Sequence, residues 1–448
     1  MEPPALLLAG PPAWVIIGRL VSPPRQRLVA TLVALLSCAW AGFAVLVVQA
    51  RAESGAELTR TLPPSTWVAL SPLPNQGQSA VFALGVDPYN NQVVMAGRSD
   101  GALVRSADGG STWNVAHGAG APVLTIAFSS SKTGFVLAGL RGGGALASKD
   151  DGLSWGPVNG LDGRSVRAFA FALTLVAAGT DRGVYASADG LAWRPSGLPK
   201  ISIGELTVAA IHDPVRLVAG SNAASASGPL LFQSIDGGTT WVQIKAAISG
   251  KVVSSLAAGP LRPASTTRPL VVGTNTGLFT SPDNGVTFAP VSGGGLLPST
   301  DYTQIAFVTT HFDRFYAASD GGGSASGGLW RTRDAARHFA SLSPPMPSVT
   351  ALAVSNDEIP TLYVATFRPA DQVAVLWAYH DTGASPQGLP TTPTPPTSGT
   401  RINSPPPAGT SGIGQLLLSA RTPYIAVGVV ALIVILMAVV SHFRGRRG

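Results

Sequence analysis

The sequence predicts an all-β protein, a seven-bladed β-propeller flanked by two single transmembrane helices. Three observations carry this prediction. A short turn motif recurs along the middle of the chain, each repeat contains four short apolar segments, and one further copy of the motif is divided between the two ends of the repeat region. Successive copies begin 39 to 51 residues apart. A period of this size indicates a repeat architecture in which neighbouring units share a core.

The clearest copy of the motif is Ser106-Ala-Asp-Gly-Gly-Ser-Thr-Trp113. Asp-Gly pairs favour turns with positive φ, and an Asp side chain can accept hydrogen bonds from backbone amides two residues further on. The Trp supplies a large apolar body that can pack between neighbouring repeats. We therefore predict a structural hairpin role for the motif residues. In the complete copies they are Ser106, Asp108, Gly110 and Trp113; Ser148, Asp150, Gly152 and Trp155; Ser187, Asp189 and Trp193; Ser234, Asp236, Gly238 and Trp241; Ser281, Asp283, Gly285 and Phe288; and Asp334 and Phe339.

Each repeat has the same order of segments. An apolar strand such as Val123–Phe128 comes first, and a polar turn leads to a second strand that ends in Ala-Gly or Val-Gly, as at residues 93–97. After a Gly-rich loop, a third strand such as Gly277–Ser281 enters the motif, and the motif's aromatic residue begins the fourth. Four short strands in about 45 residues are typical of a propeller blade.

The seventh copy of the motif is split. Three strands follow the sixth complete repeat and lead into a half-motif that contains Asp381 and Gly383. The other half stands alone at residues 65–71 and includes Trp67. We predict that residues 65–71 form the fourth strand of the last blade and close the ring. Both ends of the propeller would then leave from the face that carries the motif turns, and this face is expected to look towards the membrane.

Two uncharged apolar runs lie outside the repeats, at residues 28–50 and 423–441, and each is long enough for a membrane-spanning helix. Arginines flank the first run on its N-terminal side and the second on its C-terminal side, which predicts cytoplasmic termini and an extracytoplasmic propeller in the cell membrane. A signal peptide is the alternative for the first run, because Ala50-Arg51-Ala52 resembles a cleavage site. The predicted segments are a cytoplasmic tail (1–27), a transmembrane anchor or signal peptide (28–50), a linker (51–64), the propeller (65–383), a spacer rich in Pro, Thr, Gly and Ser (384–422), a transmembrane helix (423–441) and a basic cytoplasmic tail (442–448).

Composition narrows the function classes. The net charge is +7, but the first 27 residues contribute +2 and the C-terminal arginines +3, so the remainder carries only +2. Nucleic acid is therefore not an expected partner. Cys38 is the only cysteine, which excludes a disulfide within one chain. The histidines lack zinc-site spacing and the motif is too short for an EF-hand loop, so neither a metal nor a cofactor is expected.

The repeated Ser-x-Asp-x-Gly-x-Thr-Trp motif resembles the Asp-box, or BNR repeat, of sialidases, sortilin-type receptors and the photosystem II assembly factor propellers. The resemblance covers about residues 65–383. It implies a β-propeller in which the boxes lie away from the ligand face. It does not imply one activity, because a fold hosts many functions.

The resemblance to sialidases makes an exo-glycoside hydrolase the alternative function. Such an enzyme needs an arginine cluster for a carboxylate, a tyrosine nucleophile assisted by a glutamate, and an aspartate acid/base. The Arg-Ile-Pro signature of that family is absent from the first blade. Glu205 begins the fourth blade, and Asp301 with Tyr302 begins the sixth, so these are the residues that would supply the chemistry. They are also explained as ordinary residues at strand ends.

Four arginines suggest a binding role. Arg98, Arg141, Arg182 and Arg368 each follow the second strand of a blade, so four of seven loops on the outward face carry an arginine at a similar place. A ring of guanidinium groups can grip an anionic partner through paired hydrogen bonds. Neighbouring aspartates offer a different explanation, in which the arginines are neutralised loop residues.

The sequence as a whole favours a membrane-anchored, extracytoplasmic propeller that acts as a non-catalytic binding or assembly platform. The expected partners are the membrane, through two spans, and another protein or a glycan on the outward face.

Overall fold

The computed structural model describes residues 62–383, except 211–214, 226–227, 264, 266–267, 292–293, 298 and 322–326. All of these residues belong to the first of two compact units, Met1–Thr392. They form seven four-stranded antiparallel sheets, which confirms the predicted seven-bladed all-β propeller. The two predicted transmembrane runs, the linker up to residue 61 and the spacer from residue 384 lie outside the described residues. In the part of the chain that is described, no helix is long and apolar enough to cross a membrane.

Strands are numbered in chain order, and each blade contributes four. The first strands are β2 (Val81–Val86), β6 (Val123–Phe128), β10 (Val166–Phe171), β14 (Ile203–Ala210), β18 (Val253–Ala258), β22 (Gln304–Phe307) and β26 (Val349–Val354). The second strands are β3 (Val94–Arg98), β7 (Val136–Leu140), β11 (Val176–Thr180), β15 (Arg216–Ser221), β19 (Leu270–Thr274), β23 (Phe315–Ser319) and β27 (Thr361–Arg368).

The third strands lead into the motif, and the fourth strands follow it. The third strands are β4 (Ala102–Ser106), β8 (Ala145–Ser148), β12 (Gly183–Ser187), β16 (Leu231–Ser234), β20 (Gly277–Ser281), β24 (Gly328–Thr332) and β28 (Val373–His380). The fourth strands are β5 (Asn114–Gly118), β9 (Gly156–Pro157), β13 (Arg194–Pro195), β17 (Val242–Ile244), β21 (Ala289–Pro290), β25 (Ala340–Ser341) and β1 (Trp67–Ala69).

The ring closes between the two ends of the described chain. Strand β1 pairs with β28, and Trp67 lies opposite Tyr379. The amide of Ser65 donates to the carbonyl of His380 (2.9 Å), and the Ser65 and Thr382 hydroxyls are 2.9 Å apart. The predicted closure of the last blade by residues 65–71 is therefore confirmed. A β-strand shared between the ends of the chain holds the first and last blades together through backbone hydrogen bonds.

Antiparallel pairing gives the propeller two distinct faces. First and third strands run in the same direction, so the loops after first strands and the motif hairpins after third strands share one face, which we call the motif face. The loops between second and third strands and the connections between blades lie on the opposite face. The described chain begins and ends at the split hairpin, between Pro64 and Gly383, and thus on the motif face.

Each motif hairpin is held by a local hydrogen-bond network. The Ser106 hydroxyl donates to Asp108 Oδ1 (2.7 Å) and accepts from the amide of Gly110 (2.8 Å), while Asp108 accepts from the amide of Thr112 (2.8 Å). Equivalent bonds form in the five other complete copies, at 148–155, 187–193, 234–241, 281–288 and 332–339. Hydrogen bonds from Thr240 to the carboxylate lower the pKa of Asp236 to about 2.

The core consists of seven apolar clusters, one between each pair of neighbouring blades. The aromatic residue of every motif copy packs in the cluster between its own blade and the preceding one. These residues are Trp67, Trp113, Trp155, Trp193, Trp241, Phe288 and Phe339. The hairpin thus links local turn chemistry to packing between blades, because the turn directs a large ring into the interface.

Glycines near the ends of second strands allow neighbouring blades to approach. A Cβ on Gly97 would lie 2.4 Å from the Val123 side chain, and one on Gly139 would lie 2.5 Å from the carbonyl oxygen of Val166. Such distances are shorter than any ordinary contact, so a side chain would force the blades apart. Gly179, Gly220 and Gly273 occupy the equivalent positions of the next three blades.

Candidate functional site

The candidate site is an open recess on the opposite face, with a volume of about 570 Å³. Its walls come from blades 1 and 7 and from the loop that follows β23 in blade 6. Two phenylalanines, Phe82 and Phe367, supply aromatic surface, and the hydroxyl of Thr350 and the side chain of Gln372 supply polar groups. A concave site with apolar walls and a few polar groups is the usual form of a binding site.

A β-bulge near the start of the first strands positions side chains in the wall of the recess. In six of the seven first strands the pairing shifts by one residue near the strand's start, as between Val81 and Ala83 in β2. The extra residue is Phe82 in blade 1, Arg167 in blade 3 and Thr350 in blade 7. Bulges redirect side chains at functional edges of sheets. Here they place Phe82 and Thr350 in the wall of the recess.

Arg141 is the predicted arginine that lies beside the recess with its side chain exposed. Its guanidinium carbon is 5.9 Å from the centre of the Phe82 ring, within the range of a cation–π contact. Arg182 is also exposed, in the turn between β11 and β12, where its amide donates to the Thr180 hydroxyl (3.1 Å). Both side chains therefore present positive charge on the opposite face.

The other two predicted arginines are engaged by neighbouring groups. Arg98 is only 2% exposed and donates to the carbonyls of Pro74 (2.6 Å) and Asn75 (2.7 Å) as well as to the Asp100 carboxylate. Arg368 pairs with Asp371, with 2.6 Å between Nη2 and Oδ2. The geometry thus gives Arg98 and Arg368 structural partners, and a role for all four arginines in one binding ring stays a prediction.

A second polar group of residues lies on the same face, between blades 3 and 5. Glu205, at the start of β14, is half-buried and accepts a hydrogen bond from the backbone of Leu256. The Arg167 guanidinium attracts the Glu205 carboxylate electrostatically. Arg167 Nε also donates to the side-chain oxygen of Asn222 (3.2 Å) when the Asn222 amide is oriented to satisfy its neighbours. Burial outweighs these contacts and raises the pKa of Glu205 to about 8. The carboxyl group is therefore largely protonated at neutral pH.

We expect the stability of the propeller to fall between pH 5 and pH 9 because of Glu205. The pKa of its carboxyl is about 8 in the folded chain against an ordinary value of 4.5, so the folded state holds the proton that the unfolded state releases. The contribution is complete below about pH 4.5 and is lost as the pH rises through 8. Wild type should lose unfolding free energy between pH 5 and pH 9 that Glu205→Gln does not lose. The difference between the two chains in this loss should be on the order of 3 kcal/mol.

Chemical unfolding curves at the two pH values measure this difference. Glu358→Gln is the matched control, because Glu358 lies in an exposed loop on the motif face. Its exposed contact with His311 should change the unfolding free energy by about 1 kcal/mol or less at either pH value. A Glu205→Gln variant whose unfolding free energy changes by no more than that would show that the Glu205 carboxyl does not govern the pH dependence.

The residues proposed for a hydrolase do not meet at the recess. Tyr302 is buried, and its hydroxyl donates to the carbonyl of Leu297 (2.9 Å), while burial raises the pKa of this phenol. Burial also raises the pKa of Asp301. Neither residue is part of the recess wall, and neither is Glu205. Tyr302 therefore has a structural role, in packing and in hydrogen bonding to the backbone.

Within the described ranges, no group of three or more His, Cys, Asp or Glu side chains is arranged to hold a metal ion. Two of the histidines instead contact single carboxylates on the motif face. His311 Nε2 lies 3.0 Å from Glu358, and His338 Nδ1 lies 2.6 Å from Asp334.

Comparison with known proteins bears on the fold. No protein-family model matches the chain, and no curated protein matches it in sequence. Solved propellers do match. YCF48 from Cyanidioschyzon merolae is 15% identical over 70% of this chain and 98% of its own, with a TM-score of 0.50. This likeness shows the fold.

Two further solved structures are similar to this chain. YCF48 bound to D1 peptide is 16% identical over 71% of this chain and 96% of its own, with a TM-score of 0.50. The RRP9 WD40 repeats are 14% identical over 70% of this chain and 97% of their own, with a TM-score of 0.53. These matches show the β-propeller fold that the resemblance to Asp-box propellers implied.

Sequence reasoning did not find the recess itself. Phe82, the main aromatic residue of the recess wall, looks in the sequence like an ordinary apolar strand residue. The alternation of apolar and polar residues does not predict the bulge that redirects its side chain. The sequence does not single out Arg167 either, because its position also depends on a bulge. Phe82 and Arg167 do share one positional signal. Both are large, and each directly follows the fully buried valine that begins its blade's first strand, Val81 or Val166.

Proposed function

We propose that this protein is a membrane-anchored, extracytoplasmic binding platform whose partner is a protein segment held on the opposite face of the propeller. The observation that carries the proposal is the recess, where the Phe82 and Phe367 rings stand beside an exposed arginine, Arg141. Aromatic and arginine side chains contribute most of the binding energy in protein interfaces. A peptide that carries a carboxylate next to an apolar side chain matches both features.

Protein binding also agrees with what is known of a similar scaffold. YCF48, which shares the fold at 16% identity, has been solved bound to D1 peptide. This supports the use of such a propeller for partner binding in general. The kind of partner proposed for the present chain follows from the side chains of its own recess.

The proposed anchoring rests on the sequence. Residues 28–50 and 423–441 are apolar and uncharged, and the arginines that flank them favour cytoplasmic termini. The closed ring supports the same arrangement, because both ends of the described chain leave from the motif face. The opposite face, with the recess, is then directed away from the membrane and towards partners.

The test is to select peptides from a random display library on the full chain in detergent micelles and to measure their affinity for variants. We expect the double change Arg141→Ala and Arg182→Ala to leave the fold intact and to weaken binding about tenfold or more, because charge-assisted hydrogen bonds are lost. Arg337→Ala is the matched control, since Arg337 is exposed on the motif face. Unchanged affinity of the double variant would contradict the proposal.

The hydrolase alternative has its own decisive result. Turnover of a fluorogenic sialoside by the purified chain would favour the enzyme, and its loss in Glu205→Gln would assign the carboxyl a catalytic role. The buried position of Tyr302 gives this alternative no support from the geometry.

A further inference from the structure

Large apolar side chains are exposed on the propeller, and their distribution is uneven. Nine in the described residues are exposed by 37% or more. Six of them lie in turns of the motif face, and we call these six the apolar crown. They are Tyr89 (50%), Leu153 (63%), Leu173 (74%), Ile235 (62%), Val286 (66%) and Ile359 (47%). Two others, Val115 and Val242, lie on fourth strands, and Val373 is the one that lies on the opposite face.

Every member of the apolar crown comes from a different blade. Leu153, Ile235 and Val286 are at the tips of motif hairpins, in blades 2, 4 and 5. The other three follow the first strands of blades 1, 3 and 7. Blade 6 contributes Phe312, which is half-buried beside Arg262 and lines an apolar cavity of about 200 Å³ between blades 5 and 6. The apolar tips are therefore spread around the whole motif face.

This arrangement is not required by the fold. Single exposed apolar residues are common on protein surfaces and need no explanation. Here, however, six of the nine exposed apolar residues share one face and come from six different blades, while the carboxylates of the hairpins are held in hydrogen bonds to their own turns. The six are single side chains on separate blades, so it is their concentration on one face that favours contact with one broad partner, a protein or a membrane.

The positions of the chain ends favour the membrane. Both ends of the described chain leave from the motif face. Only residues 51–61 separate the apolar run 28–50 from the first described residue, and a fully extended chain of that length reaches at most about 40 Å. A bilayer crossed by residues 28–50 is therefore within reach of this face. Lys132, Lys149 and Arg337 are exposed on the same face, together with Asp189, Asp357 and Glu358, and this mixed charge suits a zwitterionic headgroup layer.

We infer that the motif face rests directly on the lipid bilayer and that the apolar crown enters its interfacial region. The Tyr89 hydroxyl, which donates to the carbonyl of Ser130 (2.7 Å), lets this ring present its apolar body outward. The inference rests on the proposed membrane anchoring and adds a second contact with the same membrane. Anchoring alone leaves the propeller free to tumble on its tethers, whereas docking fixes the recess away from the bilayer.

Site-specific fluorescence in the full chain tests the inference. Cys38 is the only cysteine, so a Cys38→Ser background accepts single reporters. Leu173→Cys and Ile235→Cys place an environment-sensitive fluorophore in the apolar crown, and Val373→Cys places it at an exposed apolar position of the opposite face as the matched control. The labelled chains are reconstituted in phosphatidylcholine vesicles that contain a lipid with a nitroxide near its headgroup.

We expect the nitroxide lipid to quench the reporters at 173 and 235 several-fold more strongly than the reporter at 373. Aqueous iodide should show the reverse order. Equal quenching at all three positions, in chains that do insert into the vesicles, would overturn docking while leaving the anchor intact. Reporters at 173 and 235 that are shielded from both quenchers would show that a second copy or another protein covers the face. A chain that fails to insert would overturn both the anchor and the docking.

Discussion

Replacing Asp381 by Ala should lower the unfolding free energy of the propeller by about 3–5 kcal/mol, because it leaves a buried arginine without its counter-ion. The Asp381 side chain is 1% exposed and that of Arg331 is 10% exposed, and the two form an ion pair between blades 7 and 6. The Tyr316 hydroxyl donates to the other carboxylate oxygen (2.6 Å). Chemical unfolding of the full chain in detergent, followed by tryptophan fluorescence, measures the loss.

Two further variants separate the ion pair from general effects of losing an aspartate. Asp371→Ala removes an exposed partner of Arg368 and should change the unfolding free energy by about 1 kcal/mol or less. Arg331→Met combined with Asp381→Ala should cost less than the sum of the single changes, because no buried charge is then left unpaired; Arg333, which also contacts Asp381 (3.4 Å), is 41% exposed. An Asp381→Ala variant as stable as Asp371→Ala would show that the ion pair does not hold the last blades together.

Replacing Trp67 by Ala should lower the unfolding free energy by a similar amount, about 3–5 kcal/mol, since a large buried ring is removed. Trp67 is 2% exposed, its ring centre lies 4.8 Å from that of Tyr379, and its Nε1 donates to the carbonyl of Leu342 (2.7 Å). It is also one of only three residues in β1, the strand that closes the ring. The same unfolding measurement applies.

Trp155→Ala is the matched control for this change. Trp155 occupies the same motif position in blade 2 but is half-buried, and its Nε1 donates within its own hairpin, to the carbonyl of Gly152 (3.0 Å). Its hairpin is continuous in the chain, so loss of the Trp155 indole does not open the propeller. We expect about half the cost. If the two variants lose equal stability, the split hairpin has no special part in closure.

The repeated hairpin was predictable because its interactions are local. Ser106, Asp108 and Gly110 lie within five residues of one another, and turn chemistry acts over that distance. The period then follows from the copies, and the blade number follows from the half-motif at Trp67. The pairing of β1 with β28 could be predicted for the same reason, because both halves of the split motif can be recognised in the sequence.

The candidate site was predictable only in part. The four arginines hold equivalent positions in their loops, yet their surroundings differ. Arg98 donates to the carbonyls of Pro74 and Asn75, which lie in the segment between β1 and β2, and no local sequence pattern predicts that contact. Arg141 stands beside Phe82 because a bulge in another blade turns that ring towards it.

The sequence by itself determined the architecture: the hairpins, the order of strands, the number of blades and the place where the ring closes. The tertiary structure decided which side chains are free to act. It buried Arg98 and Tyr302, paired Asp381 with Arg331 and left Arg141 exposed. The physical reason is distance along the chain. Turn and strand preferences act between near neighbours, whereas burial and pairing depend on residues brought together from different blades.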